Sequence, residues 1–147
     1  PLIDAGVIDD MLARHAELLA GGAPCDYLSN TLERRFPRGL DAELVRSAAL
    51  LQADAEAQAP HEREHVTPFF YEHPERFALH GWRAPVDASE QRWTLDTPQD
   101  LALLQTIYAA LGARALDTPW LEVLALVQAH PHWAELNREV RQKELRA

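Results

Sequence analysis

The chain has 147 residues, a length at which one domain is the default and a sizeable core can be buried. Hydrophobic residues make up 47% and charged residues 25%, the balance of an ordinary soluble globular protein. The formal net charge of −9, from 23 acids against 14 lysines and arginines, argues against a general nucleic-acid binder, which needs a basic face, and no run approaches the apolar length of a membrane span. A single cysteine, Cys25, excludes an internal disulfide and points to a cytoplasmic home. No signal peptide is visible, and Pro1-Leu2-Ile3, without an initiator Met, reads like the middle of a protein.

In chain order, Asp4 is placed to cap a helix running to about Leu19, with Val7, Ile8, Met11, Leu12, His15, Leu18 and Leu19 on one face. Gly21-Gly22 stops it. Tyr27-Leu28-Ser29-Asn30-Thr31 predicts a short strand. Arg34-Arg35-Phe36-Pro37-Arg38-Gly39 follows as a basic turn. Its three arginines within five residues are either a solvated loop or an anion contact, since Arg matches carboxylate and phosphate geometry. The stretch from Leu40 to Gln58 allows two readings. One is a single helix from Asp41 with Leu44, Val45, Ala48 and Leu51 inward; the other is a short strand to Val45 and then a helix capped by Ser47. Pro60 opens a short helix that Thr67-Pro68 ends or kinks, and Phe69-Phe70-Tyr71 continues to a further stop at His73-Pro74. Phe77 to Arg83 predicts a strand, and Pro85 to Glu90 a polar loop.

Next comes Arg92-Trp93-Thr94-Leu95-Asp96-Thr97-Pro98-Gln99-Asp100-Leu101, which reads as the end of a strand joined directly to the start of a helix. Thr97 is a good N-cap, Pro98 suits the first helical position, and Asp100 stands where a capping-box acid stands. Turned back toward the cap, the Asp100 side chain is expected to contribute on the order of 1 kcal/mol of stability and little to the rate. Asp96 falls at the strand's C-terminal end, the edge where ligands gather in open α/β sheets. It either helps the cap or holds a hard cation such as Mg²⁺, which takes one or two carboxylates together with phosphate oxygens. The helix places Leu101, Leu104, Ile107, Tyr108 and Leu111 inward and ends at Gly112. Pro119 starts another, with Leu121, Leu124, Ala125 and Val127-Gln128 before His130-Pro131. Trp133 to Arg146 predicts a charged helix with Leu136, Val140 and Leu145 on one stripe. The expected class is α/β, helix-rich, with about four short strands, in one domain spanning residues 1–147.

His61-Glu62-Arg63-Glu64-His65 matches the H-E-x-x-H zinc-protease pattern, in which two histidines share a helix face and the Glu is general base. Pro60 and Thr67-Pro68 leave about two turns for that helix, and no glycine turn leads to a third ligand such as His73, so zinc is not expected at His61 and His65. His80, His130 and His132 have no partner at useful spacing. Cys25 reads as a small buried residue, and Trp82, Trp93, Trp120 and Trp133 as core. There is no G-x-S-x-G, no P-loop and no dinucleotide fingerprint.

Several fragments fall in the order seen in one family. Asp26-Tyr27-Leu28-Ser29-Asn30-Thr31, Phe36-Pro37-Arg38-Gly39-Leu40-Asp41, Arg63-Glu64-His65-Val66-Thr67-Pro68-Phe69-Phe70-Tyr71 and Arg92 to Leu101 resemble the later motifs of cytidylyltransferases of the spore-coat-polysaccharide and acylneuraminate type. His130-Pro131 and Glu135-Leu136-Asn137 resemble that family's tail, and Pro1-Leu2-Ile3-Asp4 the end of its central Gly-Asp-x-Pro-Leu loop. The resemblance covers essentially the whole chain. It implies the C-terminal portion of a Rossmann-like nucleotidyltransferase fold, without the basic, glycine-containing triphosphate loop and first metal-binding aspartate of family members. It therefore implies that these residues alone are inactive. It favours the strand reading at Leu40 to Val45. It implies an enzyme that joins CTP and a sugar or sugar acid to form a CMP-activated sugar, with Mg²⁺ as cofactor and Asp96 as a metal-binding residue. It places Asn30, Arg63, Glu64 and His65 in segments facing the sugar, and Phe36 to Val45 against a second subunit of a homodimer. No catalytic residue is assigned. The rival reading is a binding or assembly module that keeps the fold without chemistry.

Overall fold

In the computed structural model, which describes residues 2–142, Asp4 organises one end of the molecule. Its Oδ1 accepts from the backbone N–H of Gly6 (2.8 Å) and caps helix α1, Ala5–Ala20. Its Oδ2 accepts from the N–H of Trp120 (2.7 Å), at the start of helix α6, Trp120–Ala129. Both contacts neutralise N-terminal donors that have no partner within their helices. Gly21 closes α1, and Gly22 follows with positive φ.

Strand β1, Tyr27–Ser29, is buried on both faces and lies at the centre of a three-stranded sheet. It pairs antiparallel with β2, Glu43–Val45, and parallel with β3, Leu79–Gly81. The 40–58 ambiguity is thus resolved as strand and then helix: α2 spans Ser47–Glu56. Ser47 is its first residue, whereas the cap position belongs to Arg46, which gives no side-chain cap. Two proline-initiated pieces follow, α3 at Pro60–Glu64 and α4 at Pro68–Glu72. The predicted strand at Phe77 to Arg83 is reduced to β3. Helix α5, Pro98–Leu111, continues through a 3-10 turn at Gly112–Arg114; α6 and the four-residue α7, Pro131–Ala134, complete the elements among the described residues.

Among the described residues, hydrophobic burial occurs in three clusters. The largest packs Phe36, Leu40 and Trp93 against α5 and α6 through Leu103, Leu104, Ile107, Val123 and Val127. A second joins Tyr27, Phe69, Phe70 and Phe77, and a third joins Met11, Leu18, Cys25 and Leu28. Full burial of each such side chain contributes about 1.5–3 kcal/mol. Trp93 and Trp120 are core, and Trp82 and Trp133 pack partly buried against it.

Several inward assignments are corrected. In α5, Leu103 is buried and Leu101 is exposed; in α6, Val123 is buried and Leu121 is exposed; in α1, Ile8, Leu12 and Leu19 face outward. The helical period is present in each, but each stripe is wider than the face that packs, and tertiary contact selects part of it.

Two larger corrections concern the site. The strand expected to end at Asp96 is extended chain with a single parallel bridge, Arg38 to Arg92. Pairing stops there because the partner is a turn: Gly39 has φ +102, and a Cβ built on it would lie 2.7 Å from the Trp93 carbonyl oxygen. The Arg92 carbonyl is also taken, by the Asn137 side chain at 2.8 Å. Gly39→Ala is accordingly expected to cost at least about 2 kcal/mol, because it adds strain at positive φ to a backbone clash. Thermal denaturation checks this, and a melting temperature equal to wild type would reject it. The second correction is the tail. Within the described part of the charged helix predicted for Trp133 to Arg146, helix ends at Ala134; Leu136 is exposed, and Asn137 is buried instead. Leu145 lies outside the described residues.

Candidate active site

Helix α5 begins with the reciprocal cap expected of Thr97 and Asp100. Thr97 Oγ1 accepts from the Asp100 N–H, and Asp100 Oδ2 accepts from the Thr97 N–H, both at 3.2 Å. Asp100 does far more than cap. It is 0% exposed and faces Arg92, itself 8% exposed. Arg92 Nε donates to Asp100 Oδ1 (3.0 Å) and Nη2 to Oδ2 (3.1 Å), a two-pronged contact that fits the guanidinium's planar fork. Asn137 Nδ2 adds a bond to Asp100 Oδ1 (2.8 Å), and the Asp96 N–H and the Thr94 hydroxyl donate to Oδ2. Burial pushes the Asp100 carboxyl up, but the hydrogen bonds from Arg92, Asn137 and the Asp96 backbone outweigh it and hold the group well below the usual carboxylate range. The expectation that Asp100 is a minor cap is therefore corrected: it neutralises a buried arginine.

Arg92 carries this order outward. Nη2 also donates to Asp96 Oδ2 (2.8 Å), and Nη1 to Gln142 Oε1 (2.7 Å). The Asp96 side chain is 62% exposed. It is thus tethered through one oxygen by a guanidinium that is itself fixed from behind.

Asp96 lines a cleft of about 800 Å³. Thr94, Asp96 and Gln142 come from the start of α5 and the tail. Thr31, Arg34, Arg38 and Asp41 come from the turn after β1, and Glu43, Thr67 and Tyr71 from β2 and the α4 region. The turn is braced locally. Arg34 grips Asp41 with both terminal nitrogens (2.6 and 3.0 Å), and Asn30 ties its ends by donating to the Leu40 carbonyl (2.8 Å) and accepting from the Ala42 N–H (2.9 Å). Glu43 accepts from the Tyr27 hydroxyl and the Thr67 hydroxyl. The Tyr27 hydroxyl is pushed up from its ordinary pKa by burial and by the Glu43 carboxylate.

Of the residues assigned by motif, Asp96 lines this cleft and Asn30, Arg63, Glu64 and His65 do not. Asn30 is buried, with its amide engaged by the turn backbone. Arg63 donates to the Asp54 carbonyl and carboxylate (2.7 and 3.0 Å) and borders a separate hollow of about 360 Å³. Glu64 ends α3 and is exposed; His65 follows it, half-buried. Within the same motif it is Thr67 and Tyr71 that line the cleft.

The H-E-x-x-H stretch does not share one helical face. His65 has left α3, with φ −108 and ψ 129. Glu62 caps its own helix, accepting from the Ala59 and Gln58 N–H groups (2.9 and 3.1 Å). His61 Nε2 lies 3.0 Å from Glu72 Oε2, and ligand atoms of His61, Glu62 and Glu72 lie within 4.8 Å of one another. His73 Nδ1 is engaged by the Phe69 carbonyl, His80 Nε2 by the Pro24 carbonyl, and His130 stacks on Trp133.

With this geometry in hand, comparison with known proteins places the architecture. The chain superposes on a cytidylyltransferase from Leptospira borgpetersenii serovar Hardjo-bovis with a TM-score of 0.82 over 98% of its own length, at 24% identity. The fold is that of a cytidylyltransferase. The cytidylyltransferase fold agrees with the helix-rich α/β expectation, and the chain covers 57% of that neighbour. An uncharacterised protein of Methanocaldococcus jannaschii is 28% identical over 123 residues, 82% of this chain and 49% of the relative. The chain thus spans about half the length of each. No family model matches it. Among the described residues no helix is long and apolar enough to cross a membrane.

Proposed function

We propose that this chain carries the cleft side of a cytidylyltransferase that forms a CMP-activated sugar from CTP and a sugar or sugar acid, for surface polysaccharide or glycan synthesis. The observation that carries the reading is Asp96: an exposed carboxylate, held through one oxygen by a buried arginine, on the rim of a large polar cleft within a cytidylyltransferase fold. The residues fit Mg²⁺. Asp96 Oδ1 has no partner among the described residues, and Mg²⁺ asks a protein for one or two carboxylates and fills its other positions with water and phosphate oxygens. Bound there, the ion would neutralise charge on the phosphates.

The chain's own residues hold and orient. Arg92 fixes the direction of Asp96, so its geometry is set before a ligand arrives. The side chains of Thr31, Thr67 and Tyr71 line the cleft, and the hydroxyls of Thr31 and Thr67, held by Ser29 and Glu43, keep lone pairs that can accept from a polyhydroxylated substrate. The resemblance assigns Asn30, Arg63, Glu64 and His65 to the sugar side, and that assignment belongs to the same proposal. The homodimer belongs to the same proposal: β2 is an edge strand of the sheet, within the Phe36–Val45 stretch. The full-length protein that contains this chain is expected to release pyrophosphate from CTP in a Mg²⁺-dependent, sugar-dependent manner and to sediment as a dimer. No release with any acidic or neutral sugar across a broad panel would leave a binding or assembly module as the better reading.

A further inference from the structure

Arg38 belongs to the basic turn singled out in the sequence, and it differs from Arg34 and Arg92 beside it. Arg34 has Asp41 and Arg92 has Asp96 and Asp100. The Arg38 guanidinium has no hydrogen bond or ion pair among the described residues, although it is half-buried and lines both the 800 Å³ cleft and an adjoining hollow of about 360 Å³. Asp41 attracts it, but both Asp41 oxygens are held by Arg34. Burial, and then the positive charges of Arg34 and Arg92, push its pKa below the ordinary arginine value. Its backbone is fixed on both sides: its N–H donates to the Gln91 carbonyl (2.9 Å), and its carbonyl accepts from the Trp93 N–H (2.8 Å). A partly desolvated cation without its own counter-ion is unfavourable in isolation and becomes favourable once an anion enters.

We propose that Arg38 is the oxyanion receptor of the cleft, taking a carboxylate or phosphate group of the bound ligand in a two-pronged contact. The inference rests on reading the cleft as the ligand site, and it adds a requirement: the ligand must present an oxyanion to Arg38. Guanidinium geometry suits such a group, and a backbone held in place lowers the ordering cost of binding it.

The test is calorimetric titration of the protein with inorganic pyrophosphate, CMP, and glucuronate beside its neutral counterpart glucose. Arg38→Gln is expected to weaken at least one oxyanion by about tenfold to a hundredfold, and Arg38→Lys by less, since lysine keeps the charge without the fork. Arg46→Gln, which breaks the pair with Asp26, is the control and should bind as wild type. Melting temperatures confirm that each variant folds, and Arg38→Lys separates a lost contact from a lost fold. Loss confined to pyrophosphate and CMP assigns the contact to phosphate; loss confined to glucuronate assigns it to a carboxylate; either supports the proposal. Equal oxyanion affinities in wild type and Arg38→Gln, or no binding of any oxyanion by wild type, overturn it. Arg38-dependent binding without pyrophosphate release would sink the transfer reading and leave this one standing, and turnover indifferent to Arg38 would do the reverse.

Discussion

Asp96→Asn in the full-length protein is expected to leave the fold intact and to reduce Mg²⁺-dependent turnover at least roughly a hundredfold, the scale seen when one preorganised electrostatic group is removed. The fold should persist because Thr97 and Asp100 still cap α5, and because buried Arg92 keeps its two-pronged contact with Asp100 when its exposed partner loses charge. What disappears is a full negative charge facing the cleft. Mg²⁺ uses few protein carboxylates, so the loss of one weakens metal capture severely. Steady-state rates across a Mg²⁺ titration, read beside the melting temperature, decide the matter. If turnover stays near wild type at low and at saturating Mg²⁺, Asp96 does not hold the ion.

Asp100→Asn should behave in the opposite way, losing stability first. Arg92 would be left buried with only the exposed Asp96 as counter-charge, and the new amide would point donors at the Arg92, Thr97 and Asp96 N–H groups. Breaking a buried pair in this way costs about 3–5 kcal/mol. For a chain of this size that lowers the melting temperature by roughly 6–20 °C. The acid dependence follows from the sign of the pKa shift. The Asp100 carboxyl is depressed in the folded protein, so its stabilisation is complete above its unfolded value of about 3.9 and is lost as pH falls toward the folded value. The gap between wild type and Asp100→Asn should therefore be widest near neutral pH and begin to close below about pH 4. A loss under about 1 kcal/mol at pH 7 would return Asp100 to the role of a simple cap.

These two residues also show what the sequence can and cannot disclose. The start of α5 was readable because a cap is local: Thr97, Pro98 and Asp100 act within one turn. Helix α1 was readable for the same reason, from Asp4 and Gly21-Gly22. Asp96 was reached through the resemblance of its motif; as a lone acid before a helix it was ambiguous. The partner that turns Asp100 from cap to counter-ion was not readable, because Asn137 lies 37 residues away and its neighbours Leu136 and Val140 mimic a helical stripe. The false strand at Trp93 to Leu95 has a similar origin. Propensity reports a half-buried extended chain, but a ladder needs a straight partner, and Arg38-Gly39 turns away. The cleft-lining Arg38 was visible as part of an arginine cluster, yet only the tertiary partners distinguish it from Arg34, which is equally half-buried but matched by Asp41.

The Asn137 contact has a consequence for the order in which this site is made. Asn137 lies 45 residues after Arg92, whereas Asp100 follows it by 8. At about 5–20 residues per second, a ribosome adds Asp100 in under about 2 s and Asn137 roughly 2–9 s after Arg92. A nascent chain therefore holds the arginine and its counter-ion well before the amide that locks them. Throughout that interval Asp96 hangs from an anchor still open on one side, and a message cut short before the Asn137 codon would yield a chain whose capped helix can form while the anchor behind its candidate metal ligand stays unlocked.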